Sequence, residues 1–133
     1  MAQRVKKSVA PVLDYEGKFL NKDDMIDREK ARLKGLVNEV APERLPLADT
    51  VIASIAFQRV HLQELESILT IKGFTEEYQN GANQCGIKQS SESQAYTALA
   101  NTHLKYQKHL VEILLGPGSS KKEQDPLMAF INS

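Results

Sequence analysis

The chain reads as mainly α: a long antiparallel helical hairpin plus an N-terminal helix, with a short β-hairpin between the two long helices, in an oligomer. Three observations predict that class. Two segments of similar length carry apolar residues at three-, four- and seven-residue spacings. Each is closed by a strong stop signal, Gly73 after the first and Gly116-Pro117 after the second. Between them lies the stretch "EEYQNGANQCGIKQSS", too long for an ordinary helix–helix turn and centred on the turn-forming pair Asn80-Gly81.

The elements follow in chain order. Residues 1–20 read as a flexible basic arm, in which Arg4, Lys6 and Lys7 stand together without an acid. A helix is predicted from about Lys22 to Val40, with Asn21 as N-cap and Asp23, Asp24 and Asp27 at the positive end of its dipole. Its apolar stripe is narrow, made of Ile26, Leu33, Leu36, Val37 and Val40, and Pro42 ends it. The opposite face carries Arg28, Lys30, Arg32 and Lys34 among acids.

The next segment begins at Pro46, which suits a first helical turn because its missing N–H costs nothing there. Val51, Ile55, Leu62, Leu65 and Leu69 line one face, and Ile52, Ala56, Phe57, Val60 and Ile68 widen it. A face this broad contacts more than one neighbour. One short helix cannot cover it, so self-association is expected, with Ile52, Phe57, Val60 and Tyr78 at the interface. In the insert, Tyr78-Gln79 is expected to pair with Ala82–Cys85 around the Asn80-Gly81 turn. The third helix is predicted from Ser91, with Gln94 completing a capping box. Tyr96, Leu99, Ala100, His103, Gln107, Leu110, Val111 and Leu114 form its stripe. Residues 21–116 thus form the helical core and oligomerisation domain. Residues 117–133 read as a polar linker followed by a docking peptide, Leu127, Met128, Phe130 and Ile131.

Composition bounds the function. With 133 residues, 41% hydrophobic and 26% charged, the chain suits one globular domain. No apolar run approaches a membrane span, and the basic N-terminus lacks the apolar stretch of a secretory signal. One cysteine, Cys85, makes neither an internal disulfide nor a cysteine-rich zinc site, so an intracellular protein is expected. Net charge is zero, so any affinity for nucleic acid must come from local patches.

Catalytic patterns are missing. In the run Gly116–Lys122, lysine occupies the second-glycine position of a phosphate loop and Glu123 follows Lys122, so the loop chemistry fails. His61, His103 and His109 make no i,i+4 pair, and neighbouring acids such as Glu64 with Glu66 read as solvated surface. No enzyme, metal or cofactor is expected.

The sequence "LQELESILTIKG", followed by "EEYQNGANQCGIKQS" and "AYTALANTHLKYQKHLVEILLGP", resembles the small terminase subunits of tailed bacteriophages, in particular the P27-like group. Leu47 and Asp49 match the start of its long helix, and Gly86, Lys88 and Ser90 match its G-x-K-x-S-like segment. The resemblance spans roughly residues 45–116, and its motifs are structural rather than catalytic. It implies a non-enzymatic component of the genome-packaging motor in the host-cell cytoplasm. Such a subunit forms a homo-oligomeric ring, engages double-stranded viral DNA and hands it to a large terminase subunit with ATPase and nuclease activities. On that reading Arg4, Lys6, Lys7, Lys30, Arg32 and Lys34 are the candidate DNA contacts, and the terminal hydrophobic cluster docks the large subunit. Two other classes stay open: a helical oligomeric adaptor without DNA binding, and a small DNA-binding regulator, although no helix-turn-helix has convincing spacing.

Overall fold

The computed structural model describes residues 21–79, 81, 84–116 and 120–133. The basic arm with Arg4, Lys6 and Lys7 lies outside them. Four helices are described: α1 (Lys22–Val40), α2 (Leu45–Lys72), α3 (Ser91–Leu115) and α4 (Lys121–Ile131), with strands β1 (Thr75–Gln79) and β2 (Cys85–Gln89) between α2 and α3. A 3-10 turn over Pro42–Arg44 joins α1 to α2.

Successive helices run antiparallel. Lys22 meets Glu64 and Lys34 meets Asp49, so α1 descends along α2. Tyr96 bonds Glu66, His103 meets Gln58 and Arg44 reaches the Ile113 carbonyl, which fixes α3 antiparallel to α2 over most of its length. One core cluster draws on every helix: Leu33 and Val37 from α1, Ala48, Ile52 and Ile55 from α2, Leu110, Val111 and Leu114 from α3, and Ile131 from α4. All but Ile131 lie in the last half of α1, the first half of α2 and the last half of α3. The core therefore sits at one end, and the far halves of α2 and α3 extend from it as an arm that carries the β-hairpin.

Helix ends follow the local chemistry. Gly73 (φ 84°, ψ 174°) and Gly116 (φ 89°, ψ 164°) close α2 and α3 in a backbone region open essentially to glycine alone. The predicted cap of α3 is displaced by one residue. Ser90, not Ser91, takes the N-cap position and accepts a hydrogen bond from the Ser93 amide at 3.1 Å. Gln94 turns back to donate to the Gln89 carbonyl at 3.4 Å. Asn21 likewise makes no cap bond to the backbone; its amide donates to Asp24 at 2.7 Å.

The main correction concerns the C-terminal segment. Residues 121–131, expected as part linker and part docking peptide, are helical. Ser120 opens α4 with a capping box: its hydroxyl accepts from the Glu123 amide at 3.3 Å, and the Glu123 carboxylate accepts from the Ser120 amide at 3.0 Å. Ile131 is 2% exposed inside the core, and Leu127 and Met128 pack against it. Three of the four apolar residues, Leu127, Met128 and Ile131, have found a face inside their own chain. With α1 and α3 flanking α2 and α4 sealing the cluster, Ile52 and Val60 are buried internally. They cannot line an interface on the surface of this subunit.

Candidate interaction surface

The basic residues of α1 do not present an open cationic face. Lys30 lies 3.9 Å from Asp27, and Lys34 lies 3.3 Å from Asp49, both at the surface. Arg32 is engaged in two directions. It bonds Glu29 through both Nε (3.0 Å) and Nη2 (2.7 Å), and its Nη2 also donates to the Ile131 carbonyl at 2.8 Å. The Glu29 hydrogen bond is the leading reason that the Arg32 guanidinium is held even more firmly protonated than usual. Arg59 approaches the same carboxylate at 3.5 Å, so Glu29 organises two guanidinium groups between α1 and α2. Arg32 therefore fastens the last turn of α4, where free carbonyls favour a cation. Its position is structural.

Of the terminal cluster, Phe130 alone keeps substantial exposure, at 36%. Of the four residues expected at a self-association interface, Phe57 and Tyr78 remain exposed, at 50% and 39%. Phe57 stacks on His61 with ring centroids 4.1 Å apart, one turn along the same helix.

The clearest unpartnered surface is the β-hairpin. Its register pairs Thr75 with Gln89, Glu77 with Ile87, and Gln79 with Cys85, longer than the Tyr78-Gln79 and Ala82–Cys85 pairing expected from the turn. Every residue of β1 is exposed, and so is every residue of β2 except Gly86. The Tyr78 ring lies across Gly86: a Cβ there would meet Tyr78 Oη at 2.9 Å and Cε1 at 3.0 Å. Glu76 stands opposite Lys88 on that same face, and its Oε1 also accepts from the Ser91 amide at 3.2 Å, tying β1 to the start of α3. On the other face Ile87 is 71% exposed, more than any other large apolar side chain of the described residues. Sequence reasoning placed the insert but not this edge. The available signal was Ile87 itself, an apolar residue isolated among polar ones, which is weak on its own.

A cleft of 390 Å³ lies between α2 and α3, lined by Arg59, Glu66, Tyr96, His103, Gln107 and Asn132 among others. Its polar groups face one another. His103 Nδ1 is 2.9 Å from Gln58 Oε1, and Gln107 donates to Asn132 at 2.6 Å. Burial, followed by the nearby Arg59 charge, pushes the His103 pKa down, so the ring is neutral near pH 7. Among the described residues no group of three or more His, Cys, Asp or Glu is arranged to hold a metal ion, and no helix is long and apolar enough to cross a membrane. Comparisons with protein-family models, with curated proteins and with solved structures find no match to this chain.

Proposed function

We propose that this chain is a small-terminase-type subunit. It is a non-catalytic helical protein that self-associates, engages double-stranded DNA during genome packaging and delivers it to a large subunit bearing the ATPase and nuclease. One observation carries the reading. Residues 45–116, which bear the resemblance, fold as one unit of long helix, β-hairpin and long helix, in the order the resemblance implies.

The DNA surface consists of the arm residues Arg4, Lys6 and Lys7 together with Lys30 and Lys34. Exposed ion pairs hold by no more than about 1 kcal/mol, so phosphate can displace Asp27 and Asp49 from the two lysines. Arg32 is not part of that surface, because it is committed to Glu29 and Ile131. The large subunit meets the exposed side of α4, where Phe130 stands.

A DNA mobility-shift assay at two salt concentrations, run with mass determination, tests the reading. Lys30→Glu with Lys34→Glu, and separately a triple reversal of the arm, should each weaken binding. Each lost phosphate contact should lower the salt slope by about 1. If neither variant alters binding, the DNA surface lies elsewhere on the chain; if the wild type binds no DNA, the second reading stands, that of a helical adaptor without DNA. The feature favouring it is that Lys30, Arg32 and Lys34 each face an acid in a chain of zero net charge.

A further inference from the structure

We infer that the free edge of β2 pairs antiparallel with β2 of a second copy of this chain, about a two-fold axis at Ile87, to make one four-stranded sheet. The inference rests on the self-association part of the proposed function and not on DNA binding.

The argument begins with hydrogen-bond phase. The Ser90 amide donates to the Phe74 carbonyl at 2.9 Å, just beyond the paired residues Thr75 and Gln89. In an antiparallel ladder, hydrogen-bonded and non-hydrogen-bonded pairs alternate. Glu76–Lys88 and Tyr78–Gly86 are therefore hydrogen-bonded pairs. The N–H and C=O groups of Cys85, Ile87 and Gln89 point away from β1, to the outer edge of β2. That edge is an unfilled template over three residues. The Gln89 carbonyl holds only the long bond from the Gln94 side chain, at 3.4 Å.

Register follows from that phase. A two-fold axis can pass through an outward-facing residue or an inward-facing one. At Lys88 it opposes two ammonium groups, and at Gly86 it pairs only Cys85 with Ile87. At Ile87, the middle outward-facing residue, it engages all three. The arrangement pairs Ile87 with its own copy and Cys85 with Gln89 of the second copy, giving up to about six new backbone hydrogen bonds. It joins Ile87, the most exposed large apolar side chain of the described residues, to its own copy as a cross-strand pair. On the opposite face it places Lys88 beside Gly86 of the second copy, where that copy's Tyr78 ring already lies, so the lysine stem and ammonium meet an aromatic face.

Charge selects β2 over β1. The equivalent axis through β1 passes at Glu77 and sets two carboxylates directly opposite each other, with Glu76 close by. In the β2 arrangement no like charges are directly opposed. The β1 strands become the outer edges, and their glutamates stop further strand addition. The pair is thus closed at four strands. A two-stranded hairpin is marginal by itself, whereas three or more strands with an apolar contact are not.

The test uses Cys85, the single cysteine of the chain. Opposed residues in a hydrogen-bonded pair have Cα atoms about 5.5 Å apart, within disulfide range. Gln89→Cys, with Cys85 kept, should form a covalent dimer under mild oxidation, and the same variant with Cys85→Ser should not. Ile87→Pro removes only the outward N–H, so it should leave helix content unchanged by circular dichroism and halve the particle mass by light scattering. An oligomer that neither variant affects overturns this inference and leaves self-association standing. Dissociation by Ile87→Pro without cross-linking of Gln89→Cys means that β2 pairs with a neighbour's β1, and overturns the two-fold axis. A wild-type monomer at all concentrations overturns this inference together with the self-association it rests on.

Discussion

Replacing Ile131 by Ala tests whether α4 belongs to the body of the protein. Ile131 is 2% exposed and packs among core residues from three other helices. The change removes three carbon groups, about 2.4 kcal/mol at about 0.8 kcal/mol each. Helices on several sides hold the site open, so a cavity term brings the loss to about 3 kcal/mol, within the usual range for Ile→Ala in a core. At about 4 °C per kcal/mol for a domain of this size, Tm should fall by about 12 °C. The hydrogen bond from Arg32 uses the Ile131 carbonyl, which the substitution leaves in place, so the measurement isolates burial. Phe130→Ala, one residue earlier and partly exposed, is the internal control and should cost about 1 kcal/mol. Urea titration of both variants with an unchanged slope gives the comparison. A loss below about 1 kcal/mol for Ile131→Ala, or one no larger than for Phe130→Ala, would refute the seating of α4. It would return the segment to the role of a detached docking peptide.

Four further outcomes are expected. His103 has its pKa depressed in the folded state, so the unfolded chain binds protons more readily below about pH 6.5. Stability should be fully present above that value and fall as pH drops from it towards the folded pKa; denaturant titrations of His103→Gln should lose this dependence. Gly73→Ala forces a side chain into the positive-φ region at φ 84° and should cost about 1–3 kcal/mol in thermal unfolding. Gly86→Ala pushes a methyl group into the Tyr78 ring, and its effect on amide exchange in the hairpin should shrink when Tyr78 is also Ala, a non-additive cycle. Arg32→Met leaves Glu29 paired with Arg59, so chemical unfolding should record about 1–2 kcal/mol for the lost bond to Ile131, with no change in any DNA affinity.

The helices joined by the hairpin were legible because their ends are written in residues with one conformational meaning. Pro46, Gly73 and Gly116 mark boundaries that periodicity alone would blur. The strands were less legible. The flanks of Asn80-Gly81 are rich in Glu, Gln and Lys, so no alternation of apolar residues announces Thr75–Gln79 or Cys85–Gln89. Helix α4 was misread because its signals conflict. Gly116, Pro117 and Gly118 punctuate the chain, and Pro126 sits inside the helix, while Ser120 and Glu123 spell a capping box just ahead of Leu127, Met128 and Ile131. The pairing of Lys34 with Asp49 and of Arg59 with Glu29 joins residues far apart in the chain, which local pattern cannot reveal. The local pairs, Lys30 with Asp27 and Arg32 with Glu29, were legible from the i,i+3 spacing of opposite charges.

The bond from Arg32 to the Ile131 carbonyl spans 99 residues of chain. The contacts of α1 with α2 and of α2 with α3 close much shorter loops. By chain entropy alone, a loop of this length costs about 4 kcal/mol beyond the constant term of closure. Because α4 follows α3 within six residues and Gln107 bonds Asn132, α4 can settle on α3 early, and only its bond to α1 waits until α1, α2 and α3 have come together. Hydrogen exchange should divide the molecule accordingly. The amides of α4 should exchange through a sub-global opening, in one cooperative unit, while those of α2 wait for complete unfolding. Each such opening takes Ile131 out of the core cluster and bares part of that cluster to water. A chaperone or a protease would meet the protein in that form, and the burial of Ile131 together with the Arg32 bond sets how often it appears.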